Sequence, residues 1–449
     1  MKANCVFCRG VLCLRRGLPA VLLGLTAFLG NGYAQSSVPG NNPESSTQLP
    51  MASSQPAATP LAKLVEEAEK NSPRILAAEH GWQAATHESV QASALPDTQF
   101  SVQHFSVGSP RPFAGYSNSD FAYIGVGVSQ EIPYPGKRGL RAQVADRQAD
   151  SSRADAESVR RQVVGQMKTI YFRLAFLQQT LDVLRRNDRL LSDVDQIVES
   201  RYRVGHGSQQ EVLKAQLQHT KILQEITMHH REEGQLEAQL KQLLNRTQDT
   251  PDIVTEPLTV RTLSYTAVDL LKLAREQNSD IHARGEMLRK AETQIDLAHK
   301  DFRPDFNVQY MYEHNASQFK DYYVATLSLN LPNRKRHSAE LAEAVQVREQ
   351  ASQELQAEIQ VRLSEIQQQY VFVQTSSEEL KTYREGLIPQ AQATFQSALT
   401  AYQANREDFE TLLSSFMDVL NTDVQYQREL ADHESALAQL ETLTGVTLP

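Results

Sequence analysis

The sequence contains very little cysteine. Its 449 residues include three cysteines, and Cys5, Cys8 and Cys13 all lie within the first 13 residues. Once that end is removed, no thiol remains, which excludes disulfides, thiolate metal sites and cysteine nucleophiles. Glycine and proline, at 20 and 18 residues, are also few for this length. Their scarcity argues against a large loop-rich fold and against disorder along most of the chain.

Long hydrophobic runs are missing as well. Four basic residues precede the 12-residue apolar segment Leu18–Leu29, and small residues follow it up to Ala34. This order predicts a secretory signal peptide, residues 1–34, that is cleaved after Ala34. The apolar segment is shorter than the roughly 20 residues that a bilayer helix needs, which disfavours an uncleaved anchor. After residue 34, every apolar run is shorter than the ~18 residues of a transmembrane helix, so no such helix is predicted. Transmembrane β-strands leave a weaker pattern in the sequence and are not excluded.

An excess of positive charge is absent too. The formal net charge is −9, and loss of the four basic residues of the signal peptide would make it −13. Such an acidic balance argues against nucleic acid as a partner.

Chemical motifs are equally scarce. The chain has no His-Glu-x-x-His motif, no phosphate-binding loop and no recognisable catalytic grouping, so we expect neither an enzyme nor a cofactor. His229 and Glu233 lie one helical turn apart and form a candidate metal pair. Two ligands on an exposed helix are too few, so a solvated polar face is the better interpretation and no metal site is predicted.

Most of the remaining chain consists of one unit that occurs twice. Residues 35–60, rich in Ser, Pro, Asn and Gln, predict a flexible leader. Beyond them the sequence repeats with a period of about 200 residues. The matched pairs are Asn71-Ser72 with Asn278-Ser279, Pro96-Asp97 with Pro304-Asp305, Ile132-Pro133 with Leu331-Pro332, Lys137-Arg138 with Lys335-Arg336, and Tyr202 and Leu213 with Tyr402 and Leu413. We therefore expect a first repeat (61–250), a linker (251–264) and a second repeat (265–449).

Each repeat predicts a helix, a strand hairpin, a long helix, a tight turn and a second long helix. No proline occurs between Gly136 and Thr250, and apolar residues recur in steps of three and four. The two resulting seams are Val163, Met167, Ile170, Leu174, Leu177, Leu181 and Leu184, and Leu355, Ile359, Leu363, Ile366, Tyr370 and Val373. Such heptad spacing is typical of helices that supercoil on a neighbour. At ~1.5 Å per residue, residues 137–200 would form a rod of about 96 Å, which suits a spacer between membranes.

The long helices are interrupted at matching points. The first turn contains Gly205 and Gly207, which release the backbone for a tight reversal. The second has Asn405 in place of Gly205, and Asn is the next-best residue at positive φ. Both segments are predicted to be helix–helix turns, which does not exclude a docking role.

Four segments with alternating polarity lie between the helices. They are residues 98–107, 124–132, 306–313 and 323–331. Their lengths are close to the 9–11 residues of a tilted transmembrane strand, and their tyrosines suit an interfacial girdle. Alternation alone is equally compatible with an amphipathic sheet on a soluble body. Beside long helical rods and an export signal, we favour a barrel.

A barrel of this kind needs more than one chain. Four strands cannot close around a pore, and an open sheet edge in lipid leaves backbone groups unpaired. Several chains must therefore contribute to one barrel if the strands span the membrane.

Over residues 61–449 the sequence resembles the TolC family of outer-membrane efflux channels. The resemblance rests on the duplicated plan, the helix–strand junctions and the two turns. The junction residues are Pro96, Asp97, Pro133, Pro304, Asp305 and Pro332, and the turn residues are Tyr202, Gly205, Tyr402 and Asn405. It implies a membrane α/β fold. Three chains would form one outer-membrane β-barrel of twelve strands, four per chain, continued by a long α-helical coiled-coil tunnel in the periplasm.

The same resemblance implies partners and docking residues. The channel would be a homotrimer in outer-membrane lipid, bound by a periplasmic adaptor (membrane fusion) protein that joins it to an inner-membrane RND-type pump. The first docking turn would use Tyr202, Val204, Gly205 and His206, and the second Tyr402, Asn405 and Arg406. The second turn departs from the family's Val-Gly element.

Three acids beside the second turn are candidates for a pore mouth. Glu407, Asp408 and Glu410 could form an acidic ring, although acids also favour a solvated helix start. The paired aspartates that narrow some family members correspond here to Thr411 and Ser414, so that constriction is not expected.

The expected function is that of a passive exit duct for metal ions or drugs. The segment from Pro133 to Arg138 most resembles members that are paired with heavy-metal exporters. Two alternatives stay open: a periplasmic adaptor or scaffold with long helical hairpins, and the exit duct of a type I protein secretion system.

Overall fold

A computed structural model describes residues 58–106, 122–315 and 321–448 of the protein. The predicted signal peptide, most of the predicted leader and the end of the first predicted strand at Val107 lie outside the described residues. In the first repeat the elements are α1 (Leu61–Asn71), α2 (Pro73–Ser93), β1 (Gln99–Phe105), β2 (Tyr123–Ile132), α3 (Lys137–Arg203) and α4 (Gln209–Leu243).

The second repeat has the same order of elements. They are α5 (Ala267–Gln277), α6 (Ser279–Asp301), β3 (Asp305–Asn315), β4 (Asp321–Asn330), α7 (Arg334–Thr382), α8 (Ile388–Gln403) and α9 (Phe409–Thr444). The sequence pattern did not indicate that the first helix of each repeat is split, at Ser72 and Asn278. It also missed a π-helical turn, Tyr383–Leu387, that separates α7 from α8.

The four strands form one antiparallel sheet in the order β1-β2-β3-β4. Within each repeat the two strands form a hairpin, and β2 pairs with β3 across the repeats. The start of β3 pairs with the ends of β2 and β4. The strand termini that connect to the helices therefore lie at one end of the sheet, measured along the strands. The sheet therefore stands at one end of the helical part.

The helical core is built around α3, whose 67 residues span about 100 Å at ~1.5 Å per residue. All seven residues of the first predicted seam are buried, which confirms that interpretation. One cluster joins α3 to α1, α4 and α9, and a second joins it to α4, α8 and α9 near the turns. In the second predicted seam only Ile366 and Val373 are buried.

The predicted linker packs against both repeats. The side-chain amide of Gln178 donates to the Ile253 carbonyl and accepts the Thr255 N–H, and Arg261 Nε lies 2.6 Å from the Glu434 carboxylate. The described end of the predicted leader is held too, because the Thr59 N–H donates to the Val254 carbonyl at 2.8 Å. The linker therefore joins the two repeats within the helical part of the molecule, away from the sheet.

Within the described residues, no helix combines the length and the apolar character needed to cross a membrane.

Candidate functional site

The first helical turn closes α3 with a glycine in the left-handed region. Gly205 has φ +78°, its N–H donates to the Tyr202 carbonyl at 3.0 Å, and the His206 N–H donates to the Arg201 carbonyl at 2.9 Å. This pair of bonds is a Schellman motif, which satisfies carbonyls at a helix end. Ser208 then starts α4 with a capping box to Glu211. The turn is compact, and Val204, exposed at 68%, lies at its tip.

The second turn has the same geometry despite its different sequence. Asn405 has φ +58°, its N–H donates to the Tyr402 carbonyl at 3.1 Å, and the Arg406 N–H donates to the Ala401 carbonyl at 2.8 Å. The expectation that Asn405 replaces Gly205 at a positive φ is confirmed. The docking role of either turn stays a prediction.

Arg201 connects the two turns. Its guanidinium donates to the Tyr402 carbonyl, to the Asn405 side-chain oxygen and, at 3.3 Å, to the His206 carbonyl. It also lies 4.1 Å from the centre of the Tyr402 ring. A guanidinium group carries several N–H donors in one plane and can bond three acceptors from two loops at once. Arg201 therefore holds the two turns together. Arg201 could not be predicted as a site residue, because nothing in one sequence shows that the turns meet.

The two matched tyrosines have different environments. Tyr202 is 45% exposed, whereas Tyr402 is 1% exposed and donates its hydroxyl hydrogen to Glu211 at 2.8 Å. Burial, followed by this hydrogen bond, raises the pKa of Tyr402 above its usual value. The Tyr402 ring therefore supports the turn from inside, and it presents no surface to a partner in this conformation.

The three candidate pore-mouth acids are exposed and lie around the start of α9. Asp408 is the N-cap of that helix and accepts the Thr411 N–H at 2.8 Å, which holds its pKa below the usual value. Glu410 forms an ion pair with Lys214 of α4. Asp408 and Glu410 thus have local structural roles, and a ring of acids at a pore stays a prediction.

Asp305 joins the repeats at the helix–strand junctions. It accepts the Tyr134 N–H at 2.7 Å, and its carboxylate lies 3.0 Å from the ammonium of Lys137. Lys137 is 2% exposed and also donates to the Arg303 carbonyl at 3.0 Å. This buried cation fixes the start of α3 against the start of β3.

The proline junctions lie at the same end of the sheet, where the strands connect to the helices. Gln130 of β2 donates to the Pro96 carbonyl at 2.7 Å, while Pro133 is buried and Pro304 and Pro332 are half-buried. Asp97, the counterpart of Asp305, is exposed. The predicted junction residues are therefore collected at one level of the molecule.

The two faces of the sheet differ in polarity. One face carries a continuous set of apolar side chains that are 44% to 85% exposed, namely Phe100, Val102, Val126, Val308, Tyr310, Tyr323, Leu327 and Leu329. The register sets Val102 against Val126 and Val308 against Leu327, so the apolar positions are neighbours across strands. The opposite face is mostly polar, with Gln103, Ser129, Asn307 and Thr326 together with the buried Gly127, and its apolar or aromatic side chains include Phe105, Met311, Tyr322 and Val324. A Cβ at Gly127 would lie 2.8 Å from the Ser101 hydroxyl, so glycine leaves room for that side chain on this face.

The rejected metal pair is not assembled. Glu233 lies 3.1 Å from His230, and the His229 ring packs edge-on against Phe176 at 6.4 Å. Among the described residues, no group of three metal-ligating side chains is found.

Comparisons with known proteins place this geometry in a family. The model of the outer membrane efflux protein family matches residues 64–246 and 270–446, most of both repeats. VceC from Vibrio cholerae is 17% identical, with a TM-score of 0.72 over 86% of this chain and 96% of VceC. The CmeC outer membrane channel of Campylobacter jejuni is 14% identical, with a TM-score of 0.73 over 86% of each chain. The MtrE outer membrane channel of Neisseria gonorrhoeae is 14% identical, with a TM-score of 0.72 over 86% of this chain and 89% of MtrE.

No curated protein sequence matches the chain significantly. The family match nevertheless spans both repeats and the turns, and the neighbouring structures share the fold along nearly their whole length. The predictions of a membrane α/β fold with an internal duplication and of a non-enzymatic channel are confirmed. The chain therefore belongs to the outer membrane efflux protein family, as its resemblance to TolC-type channels predicted.

Proposed function

We propose that this chain is one subunit of a homotrimeric exit duct that carries solutes from a periplasmic adaptor and an inner-membrane RND-type pump through the outer membrane. The observation that carries the proposal is the exposed apolar face of the sheet. Burial of apolar side chains in lipid is favourable, at about 25 cal/mol per Å². A mostly polar opposite face suits a water-filled lumen.

The open edges of the sheet support assembly from several chains. Among the described strands, β1 pairs only with β2 and β4 pairs only with β3. In a bilayer each unpaired backbone group is costly, because no water is present to bond it. A closed ring of strands from three chains removes both edges.

The helical turns are the proposed docking sites for the adaptor. Val204, Gly205 and His206 form an exposed tip, and Asn405 and Arg406 form its counterpart in the second repeat. Tyr402 supports the second tip from inside. The common backbone geometry of the turns supports docking at both, despite the missing Val-Gly element in the second.

Opening of the duct would involve the same region. In this proposal adaptor contact at the tips moves the helix pairs near 201–210 and 403–411, and it disrupts the bonds that Arg201 makes to both turns. Crosslinking of cysteines that are placed at these turns in neighbouring chains should stop transport. Unchanged transport after locking would contradict this gate.

The docking proposal is tested by a matched pair of substitutions. Val204→Glu and Ala404→Glu each place a charge at the same position of the two Schellman turns, where both side chains are exposed. If both turns bind the adaptor, each variant loses adaptor in co-purification from crosslinked cells, while its amount in the outer membrane stays normal. Full retention of adaptor by both variants would exclude the turns as docking sites.

The cargo is proposed to be a metal ion. This rests on the likeness of the segment from Pro133 to Arg138 to members paired with heavy-metal exporters. Growth of a deletion strain across a panel of metals and drugs tests it, with the intact gene as control. Sensitivity to metals alone supports the proposal, and sensitivity to drugs alone overturns it.

The two other candidate functions predict different behaviour. A periplasmic scaffold would wash off membranes with salt or urea, whereas the sheet described above would keep the chain in them. A type I secretion duct would leave metal and drug tolerance unchanged on deletion and would block export of a protein.

A further inference from the structure

We infer that the helical part of the chain bends at one level, where the π-helical turn Tyr383–Leu387 joins α7 to α8, and that a proton shared by Glu379 and Glu429 keeps α7 against α9 there. The inference rests on the proposed opening of the duct. It adds the level at which the helices move and the chemical condition that controls the movement.

The apolar core is interrupted in three of the long helical segments. Among the described residues, none is buried in the stretches 223–235 of α4, 381–394 from the end of α7 into α8, and 421–429 of α9. In α3, by contrast, Leu177 and Leu181 are buried at this level. A stretch with few buried apolar side chains opens at a lower free-energy cost than a packed one. The helices are therefore held together least firmly here.

The three interruptions are close together in space. The ring centre of Phe176 in α3 lies 6.4 Å from the ring of His229 in α4 and 5.6 Å from the guanidinium of Arg428 in α9. Ser376 of α7 and His433 of α9 are joined by a 2.8 Å hydrogen bond, so the interrupted stretches next to them face each other. A cavity of about 810 Å³ lies beside Phe176 and gives the helices room to move.

Packed clusters of apolar side chains lie on both sides of this level. Towards the turns, one cluster joins α3, α4, α8 and α9 and includes Phe395, Tyr402 and Phe416. Away from the turns, one cluster joins α3 to α1 and the linker, and another joins α7 and α9 to α5. Closely packed bodies deform little, so a relative movement of the two parts is concentrated between them.

The π-helical turn gives the connection between α7 and α8 a hinge. Wide turns of this kind and prolines are the usual places at which a helix bends. Pro389 follows the turn by two residues and has no N–H for the helix ladder. Gly386 lies inside the turn, where a Cβ would meet open space, and Leu387 is 42% exposed. Little side-chain packing therefore opposes a bend at this point.

A carboxyl pair lies beside this hinge. Glu379 of α7 and Glu429 of α9 are each about one helical turn from the Ser376–His433 hydrogen bond, where the two helices face each other. Burial, followed by the charges of Glu379 and Asp432, raises the pKa of Glu429 to about 7. A carboxyl group that keeps its proton can donate it to the other carboxylate, whereas two ionised carboxylates repel. The pair therefore holds α7 against α9 when it is protonated and pushes them apart when it is ionised.

The other charged groups at this level are engaged elsewhere. Arg428 and Arg173 act on Asp432, whose pKa is nevertheless raised by burial. Arg384 of the π-helical turn pairs with the carboxylate of the next residue at 3.5 Å. The buried imidazole of His433 is bonded at both ring nitrogens. Loss of the shared proton, as the pH rises through about 7, therefore leaves a repulsion that favours the bend.

Two spin labels in one chain measure the bend, because the sequence after residue 13 contains no cysteine. Gln374→Cys on α7 and Asn421→Cys on α9 use exposed positions on either side of the carboxyl pair. Pulsed electron paramagnetic resonance is recorded on the labelled full chain in lipid vesicles, diluted with unlabelled chain so that each distance lies within one chain. We expect the distribution to shift to longer distances when the pH is raised from 5 to 8.

A matched pair of substitutions assigns the shift to the carboxyl pair. Glu429→Gln cannot ionise and should keep the short distances at both pH values. Glu378→Gln, next to Glu379 in the sequence, is the control and should keep the pH-dependent shift. Equal distances at both pH values in the unsubstituted labelled chain, or a full shift in Glu429→Gln, would overturn the inference.

The position of the hinge is tested by stiffening it. Gly386→Ala removes the glycine from the π-helical turn and should reduce the pH-dependent shift. Gly285→Ala in α6, where a Cβ also meets open space, is the control and should leave the shift unchanged. Equal shifts in the two variants would show that the bend lies elsewhere and would overturn the hinge.

Growth of the deletion strain separates this inference from the proposed function. If the intact gene restores growth while the labelled chain shows the same distances at pH 5 and pH 8, the bend is wrong and the duct stands. If the distances shift as expected but the intact gene restores no growth on any compound, the bend is right and the proposed function fails.

Discussion

At the scale of single residues, the junction between helices and sheet depends on one buried cation. Lys137 has three acceptors within 3.4 Å, the carboxylates of Asp305 and Asp301 and the Arg303 carbonyl. Its desolvation is offset by these contacts, so the loss of one is costly. Asp305 is recognisable in the sequence as part of a repeated Pro-Asp element. Its partner Lys137 could not be predicted, since 168 residues separate the two in the chain.

We expect Asp305→Ala to destabilise the folded protein by about 3 kcal/mol, because it leaves Lys137 buried with a weaker partner. Thermal unfolding of the purified protein in detergent measures this. Asp301→Ala is the matched control, since that carboxylate is farther from Lys137, at 3.4 Å. An equal loss in both variants would show that Asp305 has no special role.

Gly205 should be the most sensitive glycine of the turns. Gly205→Ala forces a side chain into the left-handed region, at a cost of about 1–2 kcal/mol. Gly139 lies inside α3 with open space around a Cβ, so Gly139→Ala should be neutral or stabilising. The thermal midpoint should therefore fall for Gly205→Ala and stay or rise for Gly139→Ala, and an equal fall in both variants would contradict the turn geometry.

At the scale of elements, heptad spacing and alternation predicted the helices and strands well. They could do so because burial on one face imposes a period on the sequence, as the fully buried first seam shows. The π-helical turn at Tyr383–Leu387 was missed. It ends two residues before Pro389, which has no N–H to donate to the preceding turn. Periodicity in the sequence does not show how a helix adapts to that missing bond.

The contact between α7 and α9 contains an acid with a shifted pKa. Burial, followed by the charges of Glu379 and Asp432, raises the pKa of Glu429 to about 7. A carboxyl group whose pKa is raised by folding stabilises the fold while it is protonated, and this contribution is lost as the pH rises from about 4.5 to about 7.

Glu429→Gln should therefore raise the thermal midpoint at pH 8 and change it little at pH 5. The gain should be near 1 kcal/mol, because Glu429 is partly exposed and solvent screens the repulsion. Thermal unfolding at the two pH values measures it, with Glu378→Gln on the exposed side of α7 as control. A gain of the same size at both pH values would contradict the assignment.

At the scale of the whole molecule, the duplication determines most of the architecture. Matched Pro-Asp junctions and matched turns predicted the order of elements in both repeats, and the family match confirms the channel fold. The hydrogen bonds from Arg201 to both turns could not be predicted. Two segments about 200 residues apart meet there only because four long helices pack together. The difference in exposure between Tyr202 and Tyr402 could not be predicted for the same reason.

If the chain forms an outer-membrane duct, the apolar face of the sheet lies in lipid and the opposite face lines water. Single cysteines along β4, from Thr326 to Leu329, can carry nitroxide labels in outer-membrane vesicles, and collisions with oxygen and with a water-soluble nickel complex report their surroundings. We predict an alternation with a period of two residues, with oxygen contact at Leu327 and Leu329 and nickel contact at Thr326 and Ser328. Uniform exposure to nickel at all four positions would contradict this placement of the sheet.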